Sequence, residues 1–425
     1  MRMRPFGQLV PVDEAIRRTM TVVRPLGATE TVGLVGAIGR VAAADVRAPT
    51  DVPRFARATW DGYALRSADT KDAAPDHPRA LRIVGEVYAE ARHVRPIRSG
   101  EAVAIATGGA LPSGADAVEI VENVRERLAA VEIVRHVPPG EKVAAPGDDF
   151  ARGTRLVAVG EVLAPAALGA VAAAGRRTLR VRRRPRVAIV PNGNELVAPG
   201  RRLGRGQIHE SNNATLGALI EAEGGVPVPS PPVRDDAAAI ERRLRAAVRS
   251  SDLVIATGGS SVGEHDYLPE VFPRLGRLLF HGVSVRPGKP TLACATTRGL
   301  VLGFPGHPTS CLANGLWLLL PVLRRLAGLP GTGWIPATVA LAAPIAAVPS
   351  GMTAVVPLRL DAAGAHPTFR DSSAITSLAG VNAYALRPPG SPAVPAGGRL
   401  GVRLLLPPLG APLPDGDVLT AAGPD

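Results

Sequence analysis

From Arg186 onward, short apolar runs alternate with helical stretches, and this alternation constrains the fold more than any other feature of the chain. Val187-Ala188-Ile189-Val190 reads as a buried strand. A polar loop follows, then a helix over Asn212–Glu223 with Ser211 as candidate cap. A strand near Val226, a helix over Ala237–Val248 and the strand Leu253-Val254-Ile255 continue the pattern. Strands separated by helices predict a parallel sheet with crossover helices. Ligands in such sheets sit at the carboxyl ends of the strands. The loops that follow the strands are therefore where function is sought.

Five loops carry chemistry. Pro191-Asn192-Gly193-Asn194-Glu195 offers amides and one carboxylate directly after a strand. In Arg234-Asp235-Asp236, Asp235 suits a metal or a ribose, although paired acids before a helix also read as an N-terminal cap. Thr257-Gly258-Gly259-Ser260-Ser261 leads on through Glu264 and His265 to Asp266. Its glycines allow close backbone approach and an anion-binding nest, or simply a βα turn. Arg286-Pro287-Gly288-Lys289-Pro290 is a rigid turn with two cations. Lysine occurs only at Lys71, Lys142 and Lys289 among 49 basic residues, so one placed between Gly and Pro is unlike the background. Its ammonium is a compact charge suited to an oxyanion or phosphate. Gly303-Phe304-Pro305-Gly306-His307-Pro308-Thr309-Ser310 ends a strand and opens a helix, where Ser310 and free amides form an anion site or an ordinary cap.

The remaining sequence sets the frame. A chain of 425 residues divides into roughly two to four domains. A hydrophobic content of 46% with 20% charged residues excludes a disordered chain. The net charge of +12 rests almost wholly on arginine, and the run from Arg176 to Arg186 has little aromatic interleaving, so no nucleic-acid partner is expected. Cys294 and Cys311 support neither a disulfide framework nor a cysteine-based zinc site. Leu312–Leu323 is too short to span a bilayer and the N-terminus lacks a signal-length apolar run, so a soluble cytoplasmic protein without membrane association is expected. Val12–Val23 reads as a helix, and Arg54–Val134 as a mostly-β segment of short apolar runs and turns. Helix returns at Pro165–Ala174, which implies a β domain inserted into a helical one. Beyond Thr332, short β-like runs rich in Pro and Gly suggest a C-terminal β-barrel or sandwich. Walker loop, His-x-x-x-His pair and dinucleotide fingerprint are all absent from the sequence.

Seven motifs run in order along the chain. V-P-x-F-x-x-A-x-x-D-G-Y-A (Val52 to Ala64), A-T-G-G-x-L-P-x-G-A-D-A-V (Ala106 to Val118) and Gly147-Asp148-Asp149 come first. G-N-E-L (Gly193 to Leu196), G-G-S-S-V-G-E-H-D-Y (Gly258 to Tyr267), R-P-G-K-P and G-F-P-G-H-P-T-S follow. Together they resemble the molybdopterin molybdenumtransferase family, the MoeA-type enzymes related to the gephyrin E domain. The resemblance implies a multi-domain α/β protein. Its parts would be a discontinuous helical N-terminal domain (8–50 plus 139–183), an inserted β-rich domain (51–138), a central parallel-sheet MoaB/Mog-like α/β domain (184–330) and a C-terminal β-barrel (331–410). It implies insertion of molybdenum from molybdate into adenylylated molybdopterin, with release of AMP and assistance from Mg²⁺. The implied catalytic residues are Asp61, Glu195, Asp235, Asp266 and Lys289. Thr107, Gly258, Gly259, Ser260, Ser261, Arg286, Ser310, Ser372 and Ser377 would bind substrate, and Asp61, Asp149 and Glu195 the metal. A homodimer is implied, with the Asp61 segment completing the cleft of the other subunit, and the molybdopterin adenylyltransferase is a candidate delivery partner. Departures are visible. The family's usual Thr-Gly-Asp-Glu is Asn192-Gly193-Asn194-Glu195 here, its Lys-Pro-Gly-Lys-Pro begins with Arg286, another lysine is Gly282, and the Asn of Pro-Gly-Asn-Pro is His307. They motivate an alternative, a catalytically weak paralogue that binds molybdopterin or acts as a scaffold.

Overall fold

The structure is a computed structural model that describes residues 7–90, 95–261, 266–331 and 333–405. The chain folds as two compact units, Thr31–Val181 on the one hand and Met1–Glu30 with Arg182–Asp425 on the other. In the second unit six strands make one sheet. Their order is Val226–Pro229, Arg186–Pro191, Leu253–Thr257, Gly299–Phe304, Leu292–Thr296 and Arg277–His281. The first four are parallel, with Val187 opposite Leu253 and Thr257 opposite Phe304. The expected all-parallel sheet is corrected at its far edge, where the last two strands pair antiparallel. Leu292–Thr296 and Gly299–Phe304 are joined by a hairpin, and a parallel pair would need a crossover of a dozen or more residues.

Alternate residues of the central strands face opposite cores. Val187, Ile189, Leu253 and Ile255 pack with Leu216, Ile220 and Trp317 on one side. Ala188, Val190, Val254 and Ala256 pack with Ile240, Leu244 and Phe272 on the other. A sheet buried on both faces reads in sequence as continuous apolar runs, which is why these strands were legible. The apolar stretch from Leu312 lies in this core too, with Trp317 and Leu318–Leu320 fully buried. Among the described residues no helix is long and apolar enough to cross a membrane. Helix Val12–Val22, which the sequence grouped with residues 139–183, buries Val12 and Ala15 in the same core as Val187.

A second sheet of this unit follows the order Val285–Arg286, Thr353–Asp361, Ala383–Arg387, Arg399–Leu404 and Ile335–Ala340, with Gly364–Pro367 paired to Thr353–Asp361. A bridge between Leu341 and Ala365 links its two ends. Val285–Arg286 belongs to this sheet although its neighbours in sequence serve the α/β layer, so the turn after it is fixed from two sides.

In the unit Thr31–Val181, six strands between Gly62 and Ile133 form a mixed sheet. Ala117–Ile120 and Glu101–Ile105 flank Gly62–Leu65, and Arg79–Val87, Ala130–Ile133 and Val124–Arg127 follow. The surrounding helical domain expected from sequence needs correction. It holds one α-helix, Pro165–Ala173, and a short ladder pairing Val46–Arg47 with Arg155–Val157. The Ala-rich stretch from Val35 gives only a 3₁₀ turn, Val35–Ala37, because Gly36 and Gly39 interrupt it and Gly39 takes φ +68°.

Candidate active site

From Arg186–Pro191 the chain crosses to Val226–Pro229 on one side and then to Leu253–Thr257 on the other. The loops after these strands diverge, and the crevice at such a switch point is where open α/β sheets bind ligands. A cleft of about 1020 Å³ opens there. The structure brings Glu195, Asp235, Gly258, Gly259, Ser260, Ser261, Asp266, Arg286, Lys289, Ser310 and Ser372 to its wall. Glu264 and His265 lie outside the described residues.

The glycine loop hugs its neighbour strand. Gly258 takes φ +86°, and a Cβ there would lie 2.3 Å from the carbonyl oxygen of Asn192, so only glycine fits. The Asn192 amide donates to the Thr257 carbonyl at 2.7 Å, and that of Gly258 to Phe304 at 3.1 Å, which ties three strand ends together. Ser260 is buried, and its backbone meets His281. Burial holds the His281 imidazole below its usual range, while the hydrogen bond its ring donates to the Ser260 backbone and the Asp266 charge act the other way.

The paired acids before helix Ala237–Ser250 divide their work. Asp236 is the cap, its carboxylate accepting the Ala239 amide at 2.6 Å. Asp235 turns to the cleft and accepts the Asn194 amide at 3.0 Å, while its own amide donates to Asn194 Oδ1 at 3.2 Å. At the preceding helix, Asn212–Ala222, the sequence reading is corrected: Ser211 makes no side-chain cap bond, and the buried carboxylate of Glu210 accepts the Asn213 amide at 3.0 Å.

The cationic turn is pinned from below. Gly288 takes φ +114°, and a Cβ on it would sit 2.2 Å from Asn314 Oδ1. Buried Asn314 donates to Thr291 Oγ1 at 2.6 Å and accepts from Trp317 Nε1 at 2.9 Å, and Thr291 Oγ1 in turn donates to the Gly288 carbonyl at 2.5 Å. Arg286 and Lys289 thus project, exposed, from a hydrogen-bonded base. A third cation, Arg370, lines the same cleft and was missed in the sequence, where it is one arginine among many. Its only local signal is its place beside Asp371-Ser372-Ser373. Asp371 accepts from the Ser373 hydroxyl and from the Ser373 and Ala374 amides; those bonds, with His307 nearby, hold its carboxyl below the usual range. Ser377, expected to bind substrate, is buried away from the cleft wall. Its hydroxyl accepts the Arg370 amide at 3.1 Å and its carbonyl the Thr368 hydroxyl at 2.6 Å, so it shapes the loop that presents Arg370.

Asp61, Thr107 and Asp149 fold within the other unit. Asp61 precedes strand Gly62–Leu65, and its Oδ1 accepts both the amide of Thr107 at 2.6 Å and its hydroxyl at 2.7 Å. Those two bonds lower the Asp61 carboxyl from its ordinary value, the amide contributing most. Asp149 is exposed, with its amide donating to the Val52 carbonyl at 3.1 Å.

Comparison with known proteins finds two family regions in the chain. Residues 10–175 match the MoeA N-terminal region (domain I and II), and residues 188–325 the probable molybdopterin binding domain. The chain is 35% identical to a molybdopterin molybdenumtransferase from Nostoc sp. over 312 residues, 72% of this chain and 71% of that one. It is 30% identical to the molybdopterin molybdenumtransferase of Bacillus subtilis over 320 residues, 74% of each. The chain belongs to the molybdopterin molybdenumtransferase family. A crystal structure of a molybdopterin biosynthesis MoeA protein from Pyrococcus horikosii superposes with a TM-score of 0.81 at 32% identity, covering 93% of this chain and 99% of that one. Membership makes the chain an enzyme of molybdenum cofactor biosynthesis.

Asn194, one of the departures read in the sequence, has Asp235 as its partner in the structure. Among the described residues no three His, Cys, Asp or Glu side chains gather as a metal cage. Mg²⁺ does not require one, since it commonly takes one or two carboxylates plus substrate phosphates. Glu195 fits that role: its carboxylate folds back over Gly193, both oxygens 2.7 Å from where a Cβ would stand, and faces the cleft.

Proposed function

We propose that the enzyme inserts molybdenum from molybdate into adenylylated molybdopterin and releases AMP. The observation that carries this reading is the convergence of Arg286, Lys289 and Arg370 on one cleft with the Gly258–Ser261 loop and Ser310. Three cations beside a glycine nest suit a ligand with several anionic centres, here the two phosphate groups of one diphosphate and a tetrahedral molybdate. Lys289, Arg286 and Ser310 hold the molybdate end, and Ser372 and the Arg370 loop close over it. The Gly258–Ser261 loop cradles the pterin phosphate. Glu195 and Asp235 face the diphosphate, and Asp266 positions the reacting group beside His281.

Mg²⁺, when bound, neutralises developing charge on the diphosphate and leaves the phosphorus open to attack. Glu195 is the residue of the cleft best placed to hold it. Asp61, Thr107 and Asp149 enter this reading through a homodimer in which the Asp61 segment of one subunit serves the cleft of the other. A cytoplasmic location and substrate transfer from the adenylyltransferase belong to the same proposal. The weak-paralogue alternative loses ground because both turn cations and the acids Glu195, Asp235 and Asp266 are retained at the cleft.

The test is AMP release from adenylylated molybdopterin with molybdate and magnesium, alongside an active family member. Release well above background supports the assignment. Tight binding of molybdopterin with no AMP formed would transfer it to the paralogue reading.

A further inference from the structure

We infer that this chain takes its divalent cation only together with the diphosphate of its substrate, and that Asn194 is the positioning residue responsible. The inference deepens the proposed function and rests on it for the identity of the diphosphate. Its basis is the contact between two loops at the cleft mouth. Asn194 and Asp235 exchange hydrogen bonds, each backbone amide donating to the other's side-chain oxygen at 3.0 and 3.2 Å. One oxygen of Asp235 is thereby committed to a protein donor. The side-chain nitrogen of Asn194, Nδ2, has no hydrogen-bond partner among the described residues, and the residue is exposed.

The amide therefore does two things that a carboxylate could not. It keeps Oδ1 as acceptor for Asp235, and it puts a neutral group beside that acid. Carboxylates on both of these joined loops would repel, and a bound cation would relieve the repulsion. With Asn194 the repulsion is absent, and so is the drive to recruit an ion before substrate arrives. Glu195, exposed to water, and the uncommitted oxygen of Asp235 hold a hard divalent ion weakly, because affinity follows the number of charged oxygens. A diphosphate supplies the missing oxygens, so the ion and the substrate arrive as one complex.

The loop geometry also makes the amide replaceable. Asn194→Asp preserves the acceptor at Oδ1 and changes only the exposed amino group, so the fold is retained. The experiment is a Mn²⁺ titration of the full-length protein, read by electron paramagnetic resonance and water-proton relaxation, with and without ADP as diphosphate probe. The unaltered protein should bind Mn²⁺ at least about tenfold more tightly with ADP present than without it. Asn194→Asp should bind Mn²⁺ without ADP, again by about tenfold or more over the unaltered protein. The double exchange Asn194→Asp with Asp235→Asn restores one acid and one amide across the same pair, and should return Mn²⁺ binding to the unaltered level. Tight Mn²⁺ binding by the unaltered protein alone overturns the inference. ADP that fails to bring Mn²⁺ onto the protein, or Asn194→Asp that binds no better, does so equally. None of these readouts depends on turnover. Loss of AMP release with the binding pattern intact would sink the proposed function and leave this inference standing.

Discussion

Two walls of the cleft are built in different ways. The cationic turn, Arg286 to Pro290, sits on a buried chain of hydrogen bonds from Trp317 through Asn314 and Thr291 to the Gly288 carbonyl. It is also stitched into a second sheet through Val285 and Arg286. The acidic wall, Glu195 and Asp235, stands on loops joined by the reciprocal pair at Asn194, with Glu195 exposed. One wall is pinned from a buried base, and the other stands on solvent-exposed loops. Fixed donors around an anion contribute most when they need not reorganise during the reaction. Acids that hold a substrate-borne ion have the opposite need, since the ion brings most of its own ligands.

The largest effect is expected at the turn. Lys289→Ala should lower kcat/KM for AMP release by about 10²- to 10³-fold, the usual loss for one preorganised donor, with the thermal melt unchanged. Glu195→Gln should cost less, and added Mg²⁺ should recover part of its loss while leaving Lys289→Ala untouched. Equal losses, or magnesium rescue of the lysine variant, would break the contrast between the walls.

The support beneath the turn comes next. Asn314→Ala leaves the Trp317 indole N–H without its acceptor and Thr291 without its donor in a fully buried site. Each stranded group costs about 1–3 kcal/mol, so denaturant unfolding should show a loss of that order or somewhat above it. Molybdate affinity should fall in parallel, because the turn loses its base. A variant that unfolds earlier but binds molybdate normally would show that the cations do not depend on the pin.

The acids before helix Ala237–Ser250 give a smaller and cleaner test. Asp236→Ala removes a cap and should cost about 1 kcal/mol of stability while sparing AMP release. Asp235→Asn should do the reverse. If both variants lose activity alike, the separation of cap from cleft acid is wrong.

That separation also marks how far the sequence could be read. The strands of the central sheet were legible because burial on both faces makes them continuously apolar, and Lys289 because lysine is rare in this chain. Adjacent acids carry no such mark. Which of Asp235 and Asp236 caps is decided by the backbone angles at the helix start, φ −141° and ψ 120° at Asp236, and by Asn194 arriving from another loop. Glu210 replaced Ser211 as cap for the same reason: the longer side chain reaches the Asn213 amide from one residue further back. Arg370 was hidden by abundance, and the antiparallel edge by the similarity of apolar runs in either direction. Ser377 entered through the resemblance alone, and the structure turns its hydroxyl to the Arg370 amide.

Asp61 offers the smallest effect and a counterpart to the exposed wall, since this acid is fixed by two bonds to a single oxygen. The amide and hydroxyl of Thr107 stabilise its charged form and lower its carboxyl from the ordinary value. A carboxyl whose folded value is depressed favours the folded state above the ordinary carboxylate range, and that contribution is lost as pH falls through the depressed value. Thr107→Val removes the hydroxyl and keeps the amide, which is the larger of the two causes. The Asp61 carboxyl should therefore titrate higher than in the unaltered protein yet still below its ordinary range, as followed by carbon-detected NMR. The acid-side stability loss should begin at correspondingly higher pH. A titration that does not move would mean that the amide alone fixes this acid. A return to the ordinary value would mean that the amide does not survive without the hydroxyl, and that Asp61 is as loosely held as Glu195.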